Sequence, residues 1–180
     1  LVAQTADLKL DTSATAEIVV PFILDRVDQA LGDVDVPVDV QRAARGAGHV
    51  DPARHAALAQ ALHAAADSAE LAGAHAAVTR CSRIVEKETA ADVVDLALLT
   101  DASERALAEA IATLAPRIAA ESDPVVALRE SAALAPAVDA LFDGVMVLAE
   151  DPAVRANRVR LLRDALAAFQ PIGDLTKLQR

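Results

Sequence analysis

The sequence has few of the residues that build disulfide scaffolds or aromatic cores. It contains one cysteine, Cys81, and aromatic residues make up 2% of the chain, with no tryptophan or tyrosine. A single cysteine leaves no partner for an internal disulfide and fits a reducing compartment, so we expect a cytoplasmic protein. No apolar run reaches the roughly 18 residues of a membrane span, because Pro136, Asp139 and Asp143 interrupt the longest candidate. We therefore expect no membrane partner.

Signatures of catalysis and metal binding are also missing. There is no glycine-rich phosphate loop and no G-x-S-x-G nucleophile elbow. The four histidines lack zinc-ligand spacing, since His55 and His63 are eight residues apart and no cysteine pair accompanies them. Carboxylates are plentiful, but they lie at helix caps and exposed positions, where they stabilise helices. We expect no catalytic residue, no metal site and no cofactor in this segment.

Small aliphatic residues make up much of what is present. The chain has 180 residues and is 54% hydrophobic, which suits one domain that buries roughly 70% of the surface of its unfolded chain. Abundant alanine and leucine favour closely packed helices over a sheet. We predict an all-α fold, a bundle of about eight helices, with a frayed segment at 1–13 and a single helical domain at 14–180. The first residue is leucine rather than methionine, which suggests a segment of a longer protein.

Asp-Pro pairs mark three helix starts, at Asp51, Asp123 and Asp151. Aspartate caps the free N–H groups of a helix, and proline suits the first helical position. Ser68 is a further candidate cap, and Asp101 with a glutamate three residues on resembles a capping box. Together with hydrophobic periodicity, these signals predict eight helices. Their approximate ranges are 15–31, 38–45, 52–66, 69–88, 102–120, 124–134, 136–148 and 152 onward.

Charge is unevenly distributed along an acidic chain. The formal net charge is −10, which argues against extended contact with nucleic acid. Residues 1–152 hold 11 basic and 25 acidic side chains, net −14, whereas residues 153–180 hold 6 and 2, net +4. Screening over about 8 Å at physiological salt lets a local basic surface act despite a distant acidic one. Charge therefore permits a small RNA contact and argues against a broad one.

The last predicted helix carries four arginines, two of which break its amphipathic pattern. At about 100° per residue, Arg160 and Arg163 lie opposite the apolar face, as phosphate contacts or as solubilising charges. Arg155 and Arg158 point into the apolar sector, where a charge is costly unless paired. We expect these two to form ion pairs that hold the last two helices together, with RNA contact as the alternative. Asn157 either reads a base edge or caps a neighbouring carbonyl. The candidate acidic partners are Asp139, Asp143 and Asp151.

A second group of cations lies on the fourth predicted helix. Arg80, Arg83 and Lys87 share a face at spacings of three, four and seven residues, with Thr79 nearby as a hydroxyl donor. Such a ridge contacts phosphates or holds a splayed base, because arginine both stacks and donates hydrogen bonds. The alternative is a solvated surface that neighbouring glutamates partly neutralise.

The C-terminal quarter of the chain also carries an ordered set of motifs. F-D-x-V-M-V is followed by D-x-x-x-R-x-N-R and by a terminal D-hydrophobic-T-x-L-Q. This combination is similar to the end of the beta subunit of bacterial heterotetrameric glycyl-tRNA synthetase. The residues are Phe142, Asp143, 145–147, Asp151, Arg155, Asn157, Arg158, Val159, Asp174, Thr176, Leu178 and Gln179.

Three further landmarks extend the resemblance towards the N-terminus. The stretch 22–27 looks like the family's approach to the domain, and Asp39 stands where a D-V pair opens a short helix. Residues 79–84 stand where the family typically reads K-R-V-x-N-I. Thr79 replaces the lysine of that motif, and Arg83 replaces its asparagine.

The resemblance implies an all-helical anticodon-binding domain of the DALR type, shared in outline with arginyl-tRNA synthetase. It implies a non-catalytic fragment of glycine–tRNA ligase that holds the anticodon arm of glycine tRNA. The implied partners are the rest of the beta subunit and the alpha subunit, with ATP and magnesium on the catalytic subunit. The implied RNA-contacting candidates are Thr79, Arg80, Arg83, Lys87, Asn157, Arg160 and Arg163, with Arg155 and Arg158 either structural or RNA-binding.

Two alternatives stay open. A helical protein-interaction module that kept the fold but lost RNA binding is favoured by the acidic surface, by Thr79 and by Arg83. The related domain of arginyl-tRNA synthetase fits less well, because that family usually ends with a methionine-containing segment rather than D-L-T-x-L-Q.

Overall fold

The protein is described by a computed structural model that covers residues 12–179, with side chains from residue 18 onward. Over this range the chain forms eight α-helices, three short 3₁₀ helices and no β-strand, which confirms the predicted all-α bundle. The segment predicted to be frayed falls largely on residues 1–11, which lie outside the described residues. The α-helices are α1 Thr12–Gly32, α2 Val38–Arg45, α3 Pro52–Ala64, α4 Ala69–Val85, α5 Ala102–Ala120, α6 Pro124–Ala132, α7 Ala135–Gly144 and α8 Pro152–Phe169. The 3₁₀ helices are Leu96–Leu98, Gln170–Ile172 and Leu175–Lys177.

The capping signals in the sequence determine where the helices start. Asp51, Asp123 and Asp151 each accept a hydrogen bond from the backbone N–H two residues on, at 2.9, 2.8 and 2.8 Å. The Ser68 hydroxyl oxygen accepts one from the Leu71 N–H at 3.1 Å. Each bond satisfies a donor that helix geometry leaves free. The predicted starts of α3, α4, α6 and α8 are confirmed.

Four helices end earlier than predicted: α3 and α6 by two residues, α4 by three, at Val85, and α7 by four, at Gly144. The end of α7 is closely packed, because a Cβ on Gly144 would lie 2.7 Å from the Ser103 hydroxyl oxygen. The end of α7 therefore abuts the start of α5. The backbone is extended at Val145, with φ −138° and ψ 152°. Residues 145–151 consequently form a loop between α7 and α8 rather than a continuation of the helix.

One continuous apolar cluster runs from Leu31 to Leu178, and α8 packs within it against both α4 and α5. The buried face of α8 includes Leu162 and Phe169, which are 0% and 1% exposed. Along residues 12–179, no helix combines the length and apolar character that crossing a bilayer requires.

Helices α4 and α8 run antiparallel. Ala91, shortly after α4, donates its N–H to the Ala156 carbonyl near the start of α8 at 3.0 Å. At the other end, Leu178 beyond α8 lines the same cavity as Leu71 in the first turn of α4. The C-terminal end of α4, the start of α8 and the 145–151 loop therefore lie at the same end of the molecule.

After α8 the chain folds back onto α2 through a glycine. Gly173 has φ +103° and ψ 179°, a backbone conformation that is essentially restricted to glycine. The next residue, Asp174, donates its N–H to the Ala43 carbonyl at 2.8 Å. A Cβ on Gly173 would lie 2.3 Å from that same carbonyl oxygen. The tail therefore depends on glycine both for its backbone angle and for its close approach to α2.

Replacing Gly173 by alanine should lower the free energy of unfolding by roughly 3–5 kcal/mol, because backbone strain and a steric clash add. Gly48→Ala is the matched control, since Gly48 has φ +72° but nothing within 4 Å of a Cβ. Gly48→Ala should lower the free energy of unfolding by only about 1–2 kcal/mol, the cost of the positive φ angle alone. Urea unfolding followed by circular dichroism measures both losses, and equal losses would contradict the tail contact.

Candidate nucleic-acid interface

A buried ion pair joins the starts of α5 and α8. Arg158 Nε lies 2.6 Å from Glu104 Oε1, and the two side chains are 12% and 0% exposed. The second carboxylate oxygen of Glu104 accepts the Asp101 N–H at 2.7 Å, which completes the capping box predicted from the sequence. Both oxygens of the buried carboxylate are therefore satisfied, as a charge inside a protein requires.

The cap at the start of α5 holds a further carboxylate in its ionised form. Hydrogen bonds from the Ser103 hydroxyl, at 2.7 Å, and from the Ser103 N–H, at 2.8 Å, lower the pKa of Asp101. The stabilisation from this cap is present above the ordinary aspartate pKa and is lost as pH falls through the lowered value.

The arginines of α8 also fix the 145–151 loop. Arg158 donates from Nη1 to the Met146 carbonyl at 2.9 Å. Arg155 donates from Nε to the Ala149 carbonyl at 2.8 Å. Each bond satisfies a carbonyl that no helix hydrogen bond uses, so the loop is held against the start of α8.

The acidic partners predicted for Arg155 and Arg158 are wrong. The sequence pointed to three nearby aspartates, whereas the structure gives Arg158 the distant Glu104 and gives both arginines carbonyls of the loop. The reason is that the loop replaces the predicted last turn of α7, and its free carbonyls lie within reach of both side chains.

Two further candidates on α8 bind the segment that precedes α5. Asn157 is 1% exposed, accepts the Asp95 N–H at 2.7 Å and donates to the Asp95 carbonyl at 3.0 Å. Arg160 pairs with Asp164 at 2.8 Å and donates to the Asp92 carbonyl. The polar atoms of Asn157 are engaged inside the protein, so reading a base edge is replaced by the alternative of binding a neighbouring backbone. Periodicity could not show that residues 92–95 cover this side of α8.

The cations of α4 form an exposed face together with one aromatic ring. The guanidinium carbon of Arg80 lies 4.0 Å from the centroid of the Phe142 ring, in a cation–π contact between α4 and α7. Arg80 also lies 4.0 Å from Asp139, and its side chain stays 48% exposed. Arg83 and Lys87 are exposed, and neither has an ion pair within the described part of the chain. We call Arg80, Arg83, Lys87 and Phe142 the cationic face.

Lys87 and Thr79 depart from their predicted settings, and Arg163 lies on a different helix from the cationic face. Lys87 itself follows the end of α4 in a turn, two residues beyond Val85, instead of on the helix as predicted. The Thr79 hydroxyl oxygen is buried and has no hydrogen-bond partner among the described residues, so it is not the exposed donor expected from the sequence. Arg163 is exposed on α8 and forms no ion pair within residues 18–179.

Phe142 is the residue of the face that the sequence did not single out for RNA contact. Its motif was noted only for family resemblance, but a partly exposed aromatic ring in a chain with 2% aromatics is a usable signal. Met146 and Leu148 on the adjoining loop are 75% and 42% exposed. Unpaired bases stack on aromatic rings and on guanidinium planes. The face therefore offers a stacking surface flanked by two free positive charges.

The described residues offer little for covalent or metal chemistry. Burial raises the pKa of the Cys81 thiol to about 12, so the thiolate that would act as a nucleophile is scarce at neutral pH. Among residues 12–179, no three His, Cys, Asp or Glu side chains are grouped to hold a metal ion.

The chain is similar to known proteins over the residues of this candidate interface. Residues 74–174 match the family model of the DALR anticodon binding domain, a range that contains the whole cationic face. The glycine–tRNA ligase beta subunit of Tolumonas auensis is 35% identical over 99% of this chain and 26% of its own length. That of Acidobacterium capsulatum is 35% identical over 93% and 26%, and that of Dechloromonas aromatica is 39% identical over 87% and 23%. The chain thus spans about a quarter of the length of these curated relatives.

Replacing Arg158 by methionine should destabilise the protein by about 3–5 kcal/mol, because Glu104 is left charged and unpaired in the core. Arg163→Met on the same helix is the control, and its effect should stay within about 0.5 kcal/mol since that side chain is exposed. Urea unfolding measures both.

A second change separates loss of the pair from loss of side-chain packing. Glu104→Gln keeps a residue able to complete the capping box and removes the charge. Adding it to Arg158→Met should recover most of the lost stability. Equal destabilisation by the single and double variants would contradict the role of the ion pair.

Proposed function

This chain belongs to the DALR anticodon binding domain family, and from that membership we propose that it is the anticodon-contacting part of a glycine–tRNA ligase beta subunit. In this role it holds the anticodon arm of glycine tRNA in the cytoplasm. The relatives from Tolumonas auensis and Acidobacterium capsulatum are glycine–tRNA ligase beta subunits, which supports the choice of glycine. The cationic face carries the proposal, because it lies within the family-matched residues and combines exposed cations with a stacking surface.

The electrostatics of the chain suit a short single-stranded target. Phosphates are attracted to lysine and arginine, and the formal net charge of −10 repels an RNA backbone over most of the surface. An anticodon loop presents only a few unstacked bases with free Watson–Crick edges. The Arg80–Phe142 pair offers planes for stacking, and Arg83 and Lys87 offer charges for the neighbouring phosphates. Contact through this small face avoids the acidic remainder.

Catalysis belongs elsewhere in the proposed enzyme. We assign ATP, magnesium and the activation of glycine to the alpha subunit, and we assign no catalytic residue to this chain. Its carboxylates at the helix starts already accept backbone hydrogen bonds, as at Asp51, Asp123 and Asp151. The proposed contribution to the reaction is to position the tRNA.

Filter binding tests the proposal on the complete beta subunit that contains this chain. Glycine tRNA should bind at least about tenfold more tightly than the same tRNA with its anticodon swapped, which corresponds to about 1.4 kcal/mol. Such a difference is expected because an anticodon site makes hydrogen bonds and stacking contacts that depend on the base. Equal affinity for both tRNAs would reject anticodon recognition.

Arg83→Ala should weaken binding of glycine tRNA and reduce the slope of log affinity against log salt by about 0.7–0.9 if one phosphate contact is lost. Arg42→Ala is the matched control, because Arg42 is also exposed, forms no ion pair in the described structure, and lies on α2 outside the family-matched residues. Its affinity and salt slope should match those of the wild type. If Arg42→Ala weakened binding as much as Arg83→Ala, the effect would be one of net charge and the placement of the site would be wrong.

A protein-interaction module without RNA binding is the second candidate, and the exposed apolar residues Met146 and Leu148 favour it. A salt titration separates the two candidates. RNA binding through several phosphates weakens steeply as salt rises, whereas an apolar docking surface responds little. Steep salt dependence with glycine tRNA supports the first candidate. A lack of measurable tRNA binding at low salt supports the second.

A further inference from the structure

The middle of α1 is apolar on every side. Residues 18–24 read I-V-V-P-F-I-L, without a polar side chain. At about 100° per residue, seven residues go around the whole circumference of a helix. A helix that is apolar all round is normally buried on all sides. One neighbouring helix is therefore not enough to bury the apolar side chains of this segment.

Only one side of this segment is covered in the described structure. Leu24 is 7% exposed and faces the core, since α1 packs mainly on α3 and to a lesser extent on α2. Ile18 and Phe22 are 75% and 61% exposed, and Val19 and Ile23 are 42% and 39% exposed. We call these four residues the α1 collar. Contiguous exposed apolar surface of this kind marks a site of interaction.

Ion pairs hold the second half of α1 in place, so the helix cannot rotate about its axis to bury the α1 collar. Asp28 lies 2.8 Å from Arg45 Nε and 2.7 Å from His55 Nε2. Asp25 lies 2.7 Å from Arg45 Nη2. His55 is 1% exposed and the Asp28 side chain 21%, whereas the Asp25 side chain is 66% exposed, so this network joins α1 to α2 and α3 from the core out to the surface. Rolling α1 by a quarter turn would break these contacts, and a buried partner left unpaired is costly.

We propose that the α1 collar is the surface on which this domain docks against the remaining polypeptide of the beta subunit. The proposal rests on the proposed function, because it takes the chain to be part of such a subunit. The chain spans 26% of the Tolumonas auensis relative, so most of that protein lies outside the matched stretch and is available to cover the collar. The collar lies outside residues 74–174, so docking there leaves the cationic face free for RNA.

A second copy of the chain suits the α1 collar less well. Two chains of formal net charge −10 repel one another when they approach. The occupant is instead an apolar surface of the same polypeptide, which covalent connection holds at a high effective concentration.

Cysteine labelling in the complete beta subunit, with its other accessible cysteines replaced by serine, tests the docking surface. Ile18→Cys and Phe22→Cys are compared with Val93→Cys and Leu96→Cys, which replace side chains 71% and 73% exposed in this domain. Maleimide should label positions 18 and 22 at least about tenfold more slowly in the folded subunit than in urea, because only local opening exposes a covered side chain. Positions 93 and 96 should react more readily and serve as the reference. Cys81 is buried in the folded domain but would react in urea, so it is replaced by alanine in every variant.

Labelling of positions 18 and 22 as fast as the reference would overturn the proposal. Protection that disappears on dilution would also overturn it, since that result indicates a second copy. Filter binding of glycine tRNA to the same variants keeps the two claims separate. Protection without anticodon preference rejects the proposed function alone, whereas anticodon preference without protection rejects the docking surface alone.

Discussion

The arrangement of the candidate interface depends on one buried ion pair, that between Glu104 and Arg158. Glu104 caps α5 with one oxygen and receives Arg158 with the other, while Arg158 also donates to the loop at Met146. The starts of α5 and α8 and the loop after α7 are thereby fixed relative to one another. Burying two charges costs several kcal/mol per ion before their attraction is counted. We attribute the pair to its role in orienting α5, α8 and the loop after α7. Its hydrogen bonds specify one geometry, whereas apolar packing would allow several.

The positive charges of the C-terminal region are largely used inside the protein. Arg155 and Arg158 hold the loop, and Arg160 with Asn157 holds the segment at 92–95. The net charge of +4 over residues 153–180 therefore does not make a broad basic surface. The cationic face on α4 and α7 stays exposed, as do Arg163 on α8 and Arg42 on α2. In the proposed function, discrimination then comes from stacking and hydrogen bonds to a few bases, and the acidic remainder limits non-specific RNA binding.

Local features of the fold could be predicted from the sequence, and contacts between distant residues could not. The caps at Asp51, Asp123 and Asp151 and the box at Asp101 are encoded within a few residues, so the helix starts followed directly. Periodicity marked Arg155 and Arg158 as unusual but could not identify Glu104, which lies 54 residues from Arg158. The close approach of Gly144 to Ser103, on a helix distant in sequence, could not be read from local signals either. The exposure of Arg83 was predictable from the periodicity of its own helix. The burial of Asn157 was not, because the residue that covers it, Asp95, is 62 residues away in the sequence.

In the proposed function, the end of the molecule that is built around the Glu104–Arg158 pair presents the α4–α7 surface to RNA. Hydrogen–deuterium exchange of the complete beta subunit, with and without glycine tRNA, tests this placement. It predicts slower exchange on tRNA binding at residues 80–87 and 142–151, with no change across α2 and α3. Protection on α2 and α3 while residues 80–87 exchange unchanged would contradict it.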